Sequence, residues 1–318
     1  MNAHDLIKEA IAEKGKFDSV YWIACGGSMI DLIPAHELLQ REATTFTSYI
    51  YTAREFDIMR PRRLGEKSLV IACSHSGNTP EVVEGCEIAL AAGATVIAQT
   101  DNAGSKIDSG KWTTWGEGVP QAEVPAGISL SLAAELLDQQ EGYADLADMY
   151  AGIAEMDKIL PPAREKVNAE LGDRFAKLCQ EHEFFYILGS GPNFSQTYGF
   201  AICSLMEMQW QHCSYIHSAE YFHGPFEATQ DGVFYFLQMG SSECRAMDER
   251  ALAFLKTHTD TLMVLDAKEY GMEAVPASVR AYLDPVLFYA MNCELRAARG
   301  KVFDHDPDFR RYMGVVEY

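Results

Sequence analysis

The chain lacks the features of a membrane protein and of a nucleic-acid-binding protein. No apolar run approaches the ~20 residues that a helix needs to cross a bilayer. The N-terminus alternates like an amphipathic helix, unlike the charged and then apolar pattern of a signal peptide. With 26 Lys and Arg against 46 Asp and Glu, the net charge is −20, which argues against the basic face that nucleic acids and anionic membranes require. We therefore expect a cytoplasmic protein with neither as its partner.

Signatures of metal, nucleotide and disulfide chemistry are also missing. The eight cysteines form no C-x-x-C pair and no zinc-finger spacing. Most, such as Cys25 and Cys73, follow apolar residues, which indicates small buried side chains kept reduced in a cytosol. The G-x-x-x-x-G-K and G-x-G-x-x-G motifs are both absent, so nucleotide binding is not favoured. We expect neither a metal nor a cofactor.

The chain does contain alternating strand-like and helix-like segments, arranged in two similar halves. Residues 20–25 and 68–73 are short apolar runs, each followed by a helical pattern, and residues 184–188 begin the same plan again. Strands separated by helices of about a dozen residues predict parallel βαβ units. We predict an α/β protein of two tandem domains, residues 1–152 and 153–318, each a flavodoxin-like, doubly wound parallel sheet flanked by helices.

A polar turn follows the strand at residues 68–73 and precedes Pro80, which favours a helix start. Small hydroxyls and backbone N–H groups at a helix N-terminus hold phosphate well, and an acidic chain needs such local donors. A second small-residue turn follows the strand at 20–25, and ligands of α/β sheets bind at this carboxyl edge. The alternative is a plain helix cap by Ser74 or Ser76. The candidate phosphate ligands are Gly26, Gly27, Ser28, Ser74, His75, Ser76, Asn78 and Thr79.

Two carboxylates and three histidines lie within residues 207–223. Moving a proton between the adjacent carbons of a ketose and an aldose requires a base, and an acid that opens the sugar ring. Glu207 lies in an otherwise apolar helical stretch, so it is paired, exposed or functional. His223 precedes Gly224-Pro225, a rigid turn that either aims its ring or is capped by it.

These motifs together resemble the sugar isomerase (SIS) domain, which occurs twice in the isomerase half of glucosamine-6-phosphate synthase. The resemblance rests on residues 25–28 and on Ser74-x-Ser-Gly-x-Thr79. It implies that Ser28 and the loop at 74–79 hold the phosphate of a hexose 6-phosphate. It also implies two SIS domains, which agrees with the two similar halves.

The resemblance extends to the acid–base segment. In the synthase the enolisation glutamate lies 16 residues before the histidine of a His-Gly-Pro turn, as Glu207 and His223 do here. It implies catalytic roles for these two residues and a site role for His212. Glu220 would position His223 or meet the substrate amine. Because the histidine of that family enters from the neighbouring subunit, we expect a homodimer with active sites at its interface.

Two departures separate the chain from the synthase. It has no glutamine-hydrolysing domain, and residues 310–318 lack the tail lysine that forms a Schiff base with fructose 6-phosphate. Across nearly its whole length the chain is instead similar to the fructosamine 6-phosphate deglycases, including those for fructoselysine and fructose-asparagine 6-phosphates. The shared segments are residues 24–28, 74–81, 220–227, 248–251 and the tail at 310–318. This similarity implies that Arg311 and Tyr312 are among the substrate-binding residues.

The deglycase resemblance implies a reverse Amadori rearrangement that releases an amino acid and glucose 6-phosphate without a cofactor. Two alternatives stay open at this point: an aldose–ketose isomerase of a plain phosphosugar, and a non-catalytic SIS protein that senses a sugar phosphate. The sequence does not define which amino acid is released, or whether the sugar product is glucose or mannose 6-phosphate.

Overall fold

The computed structural model describes residues 2–116 and 125–317. Contacts within the chain divide it into two compact units, Met1–Tyr150 and Ala151–Tyr318. Tyr318, the last residue of the tail motif, lies outside the described residues. None of the helices in the described part of the chain is long and apolar enough to cross a membrane.

The first unit is built on five parallel strands in the order β2-β1-β3-β4-β5. This is the strand order of a flavodoxin-like sheet, as the alternation of segments predicts. Strand β5, which has three residues, was not predicted from the sequence. The strands are β1 (Ser19–Ala24), β2 (Thr47–Thr52), β3 (Ser68–Cys73), β4 (Thr95–Gln99) and β5 (Thr113–Trp115).

Helices separate the first four strands along the chain, and β1 and β3 are buried throughout. Every residue of β1 and of β3 is buried, because parallel strands covered on both faces are continuous apolar runs. Each of the two strands ends at a small polar turn that opens a helix, at Gly26 and at Pro80 respectively. The helices are α1 (Ala3–Lys14), α2 (Gly26–Glu42), α3 (Ala53–Met59), α4 (Pro80–Ala91) and α5 (Pro125–Glu141).

The second unit repeats the first four strands of this order. Its parallel sheet runs β7-β6-β8-β9, so β6 corresponds to β1 and β8 to β3. Helix α6 (Leu146–Val167) spans the residue at which the units divide. Helix α8 (Phe194–Gly199) continues as a π-helical segment, Phe200–Glu207. The remaining elements are β6 (Phe184–Gly189), β7 (His212–His217), β8 (Tyr235–Met239), β9 (Leu262–Asp266), α7 (Asp173–Glu181), α9 (Arg245–His258) and α10 (Arg280–Phe303).

An internal carboxylate fills the turn after β8. Asp284, on α10, is 1% exposed and accepts hydrogen bonds from the Ser241 backbone N–H at 2.5 Å and from Ser241 Oγ at 2.9 Å. Gly240 leaves room for it, since an added Cβ there would lie 2.8 Å from Asp284 Oδ2. Burial raises the pKa of Asp284 to about 7, because the charged form loses its hydration. The turn after β8 corresponds to the turn Ser74–Thr79 of the first unit. Its hydrogen-bond donors are therefore already used by the carboxyl group of Asp284.

Asp284 makes stability depend on pH in a defined direction. Its pKa is raised on folding from about 3.9, so the folded chain binds the proton more tightly, and stability falls as pH rises from about 4 to about 7. Asp284→Asn keeps an acceptor for Ser241 and has no such titration. We expect its free energy of unfolding, relative to wild type, to rise by roughly 2–3 kcal/mol between pH 5 and pH 8 in urea denaturation. The exposed Asp157→Asn is the control, and a pH-independent difference for Asp284→Asn would contradict the assignment.

Candidate functional site

The phosphate-loop candidate of the first unit, residues 74–79, is a closed turn between β3 and α4. The Ser74 backbone N–H donates to Gln99 O at 3.0 Å, and the Gly77 N–H donates back to Ser74 O at 2.9 Å. The hydroxyls of Ser74 and Thr79 lie 3.0 Å apart and share one hydrogen bond. The side chains of His75, Ser76 and Asn78 are exposed, so three of the predicted ligands in this loop face solvent.

The alternative prediction, that Ser74 or Ser76 only caps the N-terminus of the following helix, is wrong. Thr79 occupies the N-cap position of α4 and makes no side-chain capping hydrogen bond. Ser74 Oγ pairs with Thr79 instead, and Ser76 Oγ accepts from the Asn78 N–H at 3.2 Å. The N-cap residue of α2, Cys25, also makes no side-chain capping bond. Both helices therefore begin at the carboxyl edge of the sheet without a side chain on their first N–H groups, which is the arrangement that binds an anion.

Ser28 joins the two helix starts. Its Oγ accepts a hydrogen bond from the His75 backbone N–H at 3.1 Å. Gly26, with φ +55°, and Gly27 precede it, and a Cβ added at either glycine would meet no heavy atom within 4 Å. The space beside this turn is thus open. The structure brings together the two predicted groups of ligands, the turn at 26–28 and the loop at 74–79.

Residues 102–106, which were not predicted as part of the site, pack against the loop at 74–79 and support it. Asn102 Nδ2 donates to Ser76 O at 3.0 Å, and the Lys106 N–H donates to Asn78 Oδ1 at 3.2 Å. Gly77 has φ +66°, and a Cβ added there would lie 1.8 Å from Ser105 Oγ. Because only glycine fits between the loop and this segment, Gly77 determines the shape of the loop.

His75 supplies positive charge beside the loop. Its Nε2 lies 2.7 Å from Oδ2 of Asp31, whose side chain is 10% exposed, whereas the His75 side chain is 44% exposed. The Asp31 carboxylate raises the pKa of His75 well above its ordinary value, because it stabilises the imidazolium. In a chain of net charge −20, this imidazolium is a local cation for a bound phosphate. Asp31 lies one helical turn after Ser28, and that i, i+3 spacing was the only signal for it in the sequence.

In the second unit, Glu207 is the last residue of the π-helical segment, a helix form often found at functional sites. Its Oε1 lies 3.0 Å from Nη2 of Arg310 in the tail, and the two side chains are 25% and 21% exposed. Of the three states that the sequence left open for Glu207, the structure shows the paired one. The pair lies in a groove of about 750 Å³, lined by Ile202, Met206, Glu207, Trp210, Gln211, His212, Arg310, Arg311, Tyr312 and Met313. Glu207, His212, Arg311 and Tyr312, all predicted site residues, thus share one groove.

Trp210, absent from the sequence analysis, holds the tail against this groove. The guanidinium of Arg311 lies 3.5 Å from the centre of the Trp210 ring, a cation–π contact. His305 and Phe309 pack on the same indole, with ring centroids at 4.6 and 5.5 Å. Trp210 has φ +51°, an uncommon value for a residue other than glycine, which turns the chain between the π-helical segment and β7.

The second part of the acid–base segment, with Glu220 and His223, is not among the described residues that line the groove of Glu207. His223 and Glu220 are exposed in one turn, where the His223 N–H donates to Glu220 O at 2.9 Å. Among the residues that the structure describes, no hydrogen bond or ion pair links either side chain to Glu207. His217 accepts from the Ala219 N–H through Nδ1 at 3.1 Å, as a histidine with a structural role does. The single chain therefore presents the predicted base and the predicted acid separately.

Gly77→Ala tests whether the loop needs its present shape. The added methyl group collides with Ser105, so we expect at least a tenfold loss of glucose 6-phosphate affinity by titration calorimetry, with about 1–3 kcal/mol lost from the free energy of unfolding. Gly110→Ala is the matched control: Gly110 has φ +72° and open space around it. Equal phosphate affinity in Gly77→Ala and Gly110→Ala would show that the loop does not bind the ligand.

Asp31→Asn tests the imidazolium. Without the carboxylate, the pKa of His75 returns toward about 6.5, so its charge is lost above that pH. We expect glucose 6-phosphate affinity to fall roughly tenfold at pH 8, the value of one charge-assisted hydrogen bond, and the deficit relative to wild type to shrink at pH 6. Asp18→Asn makes the same charge change at an exposed position. A deficit that is the same at both pH values would contradict the role of His75.

Comparison with known proteins assigns the chain to a family. Residues 18–114 match the SIS domain. The chain is 36% identical over 313 residues to the fructosamine deglycase FrlB of Bacillus subtilis (strain 168), covering 96% of this chain and 94% of that protein. It is 30% identical over 325 residues to the fructoselysine 6-phosphate deglycase of Escherichia coli (strain K12), covering 99% and 91%.

Solved structures agree with this assignment. A Bacillus subtilis protein with a provisional phosphosugar isomerase name superposes with a TM-score of 0.90 at 34% identity, covering 99% of this chain and 97% of that one. A similarly named protein from Salmonella typhimurium LT2 gives a TM-score of 0.94 at 32% identity, covering 100% and 96%. The chain, with two parallel sheets flanked by helices, belongs to the fructosamine deglycase family of SIS-domain proteins.

Proposed function

We propose that the chain is a fructosamine 6-phosphate deglycase, which cleaves a 6-phosphorylated Amadori product into a free amino acid and a hexose 6-phosphate. The observation that carries the proposal is the groove of the second unit, where Glu207 is a partly buried carboxylate beside two arginines of a lysine-free tail. A groove without a lysine favours cleavage over Schiff-base amination. The near full-length similarity to two named deglycases supports the same activity.

The substrate is anchored through its phosphate. The loop at 74–79, the turn at 26–28 and the imidazolium of His75 provide hydroxyls, backbone N–H groups and one positive charge for the dianion. The phosphate is at carbon 6 of the substrate, remote from carbons 1 and 2 where the proposed bond changes take place. Binding energy from this remote group then serves to orient the reacting carbons.

Glu207 performs the proton transfer in our proposal. The open-chain substrate has a ketone at carbon 2 and the amine at carbon 1. Glu207 takes a proton from carbon 1 to give an enaminol, and return of a proton to carbon 2 converts this to an imine at carbon 1. Water adds to the imine, and the carbon–nitrogen bond breaks to release the amine and the aldehyde of the hexose 6-phosphate. No electrons are exchanged with any other molecule, so the sequence of steps balances without a redox partner.

His223 opens the furanose ring to that ketone, as its position in the Glu207-to-His223 spacing implies. Because His223 is exposed and makes no hydrogen bond or ion pair with Glu207 among the described residues, we propose that it serves the site of a second copy in a homodimer. His212, Glu220, Arg311 and Tyr312 contact the sugar or the amine. All eight cysteines are free, which supports a reducing, cytoplasmic location.

The activity is tested by incubating the protein with fructoselysine, fructose-asparagine and glucoselysine 6-phosphates, and measuring release of glucose 6-phosphate or mannose 6-phosphate. We expect Glu207→Gln to lose ~10²–10⁴ of the rate while retaining substrate binding, because only the proton acceptor is removed. Glu294→Gln, outside the groove, is the control. Full activity in both Glu207→Gln and His223→Asn would overturn the assignment, and binding of the sugar phosphates without turnover would favour a sensor. Turnover of fructose 6-phosphate alone would favour an isomerase.

A further inference from the structure

The base of the proposed reaction is not free in the structure. Of the residues that line the groove in the described part of the chain, Glu207 alone carries a carboxylate, and Arg310 Nη2 lies 3.0 Å from its Oε1. The other terminal nitrogen of Arg310, Nη1, donates to Pro307 O at 2.5 Å. The guanidinium is thus held by the backbone of the tail on one side and covers Glu207 on the other.

The neighbouring arginine has a different partner. Arg311 lies flat on the ring of Trp210 at 3.5 Å, where it anchors the tail. Arg310 is therefore the cation of this groove whose partner is the proton acceptor itself. A guanidinium holds a carboxylate best through two parallel hydrogen bonds. In the described part of the chain Arg310 and Glu207 form an ion pair, whereas the hydrogen bonds of Arg310 go to the backbone oxygens of Pro307 and Phe309. The pair is therefore a weak one that a better-placed carboxylate can replace.

We infer that Arg310 determines specificity by exchanging one carboxylate for another: it covers Glu207 in the free protein and binds the carboxylate of the substrate's amine portion in the complex. This inference rests on the proposed function. The substrate class that it names is the 6-phosphorylated Amadori product of an amino acid whose carboxylate lies close to the linking nitrogen. When the amine portion of a substrate lacks that carboxylate, Arg310 stays paired with Glu207, and Glu207 cannot accept the proton.

The exchange requires little rearrangement. Both the old and the new partner are carboxylates in the same partly exposed groove, so the loss of one ion pair is offset by the gain of the other. The Trp210 anchor keeps the tail beside the groove while the guanidinium changes partner. A ligand shifts such an equilibrium only by its differential affinity for the two states, and here the substrate carboxylate is the source of that difference.

Two matched substrates test the inference: the 6-phosphates of fructose-glycine and of fructose-glycinamide, which differ only in a carboxylate against an amide. We expect wild type to cleave the glycine compound with the higher kcat/KM. Arg310→Gln should lower kcat/KM for the glycine compound by ~10–100-fold and raise it for the glycinamide compound, because Glu207 is uncovered. Arg310→Lys, which keeps the charge, should retain part of the preference. Lys301→Gln removes a nearby exposed cation and should change neither value.

The outcomes separate the two proposals. A fall by the same factor for both substrates in Arg310→Gln, or no preference in wild type, overturns the role of Arg310 while the deglycase activity stands. Wild type that cleaves none of the Amadori 6-phosphates overturns the proposed function first. If Arg310→Gln fails to fold, the salt dependence of wild type decides, since an electrostatic preference for the glycine compound must shrink as ionic strength rises. A ratio independent of salt overturns the inference.

Discussion

The chain carries a net charge of −20, so an anion that it binds depends on a cation or on hydrogen-bond donors placed directly beside it. The structure meets this constraint twice. Asp31 holds His75 as an imidazolium beside the phosphate loop, and the tail brings Arg310 to Glu207. Both are short-range pairs, whose effect survives the overall negative field because it depends on contact distance and partial burial. The proposed chemistry depends on these two cations.

The two units share the order of their first four strands, but the turn after β3 in the first unit and the corresponding turn after β8 in the second have different hydrogen-bond partners. In the first, the turn after β3 keeps its hydroxyls beside two helix starts that have no side-chain cap. In the second, the corresponding turn after β8 gives its N–H and hydroxyl to Asp284. An internal carboxylate therefore satisfies in one unit the donors that, in our proposal, a substrate phosphate satisfies in the other. In our proposal the first unit keeps the phosphate site, and the second unit contains the groove with Glu207.

Local patterns in the sequence were sufficient for the sheets and for the loop. Strands β1 and β3 are continuous apolar runs that end in small polar turns, so their position and the binding edge followed from neighbours in the chain. The contacts that give the sites their chemistry join distant residues: His75 to Asp31, Glu207 to Arg310, and Trp210 to the tail. The spacing of apolar residues along the chain gives no information about pairs of residues that are distant in sequence. Strand β5 was not predicted because its three residues are too few to show an alternation. The π-helical segment that ends at Glu207 has the same apolar pattern as an α-helix.

The central claim is that the carbon–nitrogen bond breaks after a proton has moved from carbon 1 to carbon 2, and not by direct displacement. The most direct test is to run the reaction in D₂O with an accepted Amadori 6-phosphate and to examine the sugar product by NMR. If the proton moves in this way, the products are an aldose 6-phosphate and free amine in equal amounts, with solvent deuterium at carbon 2 of the sugar. Release of fructose 6-phosphate without deuterium would contradict it.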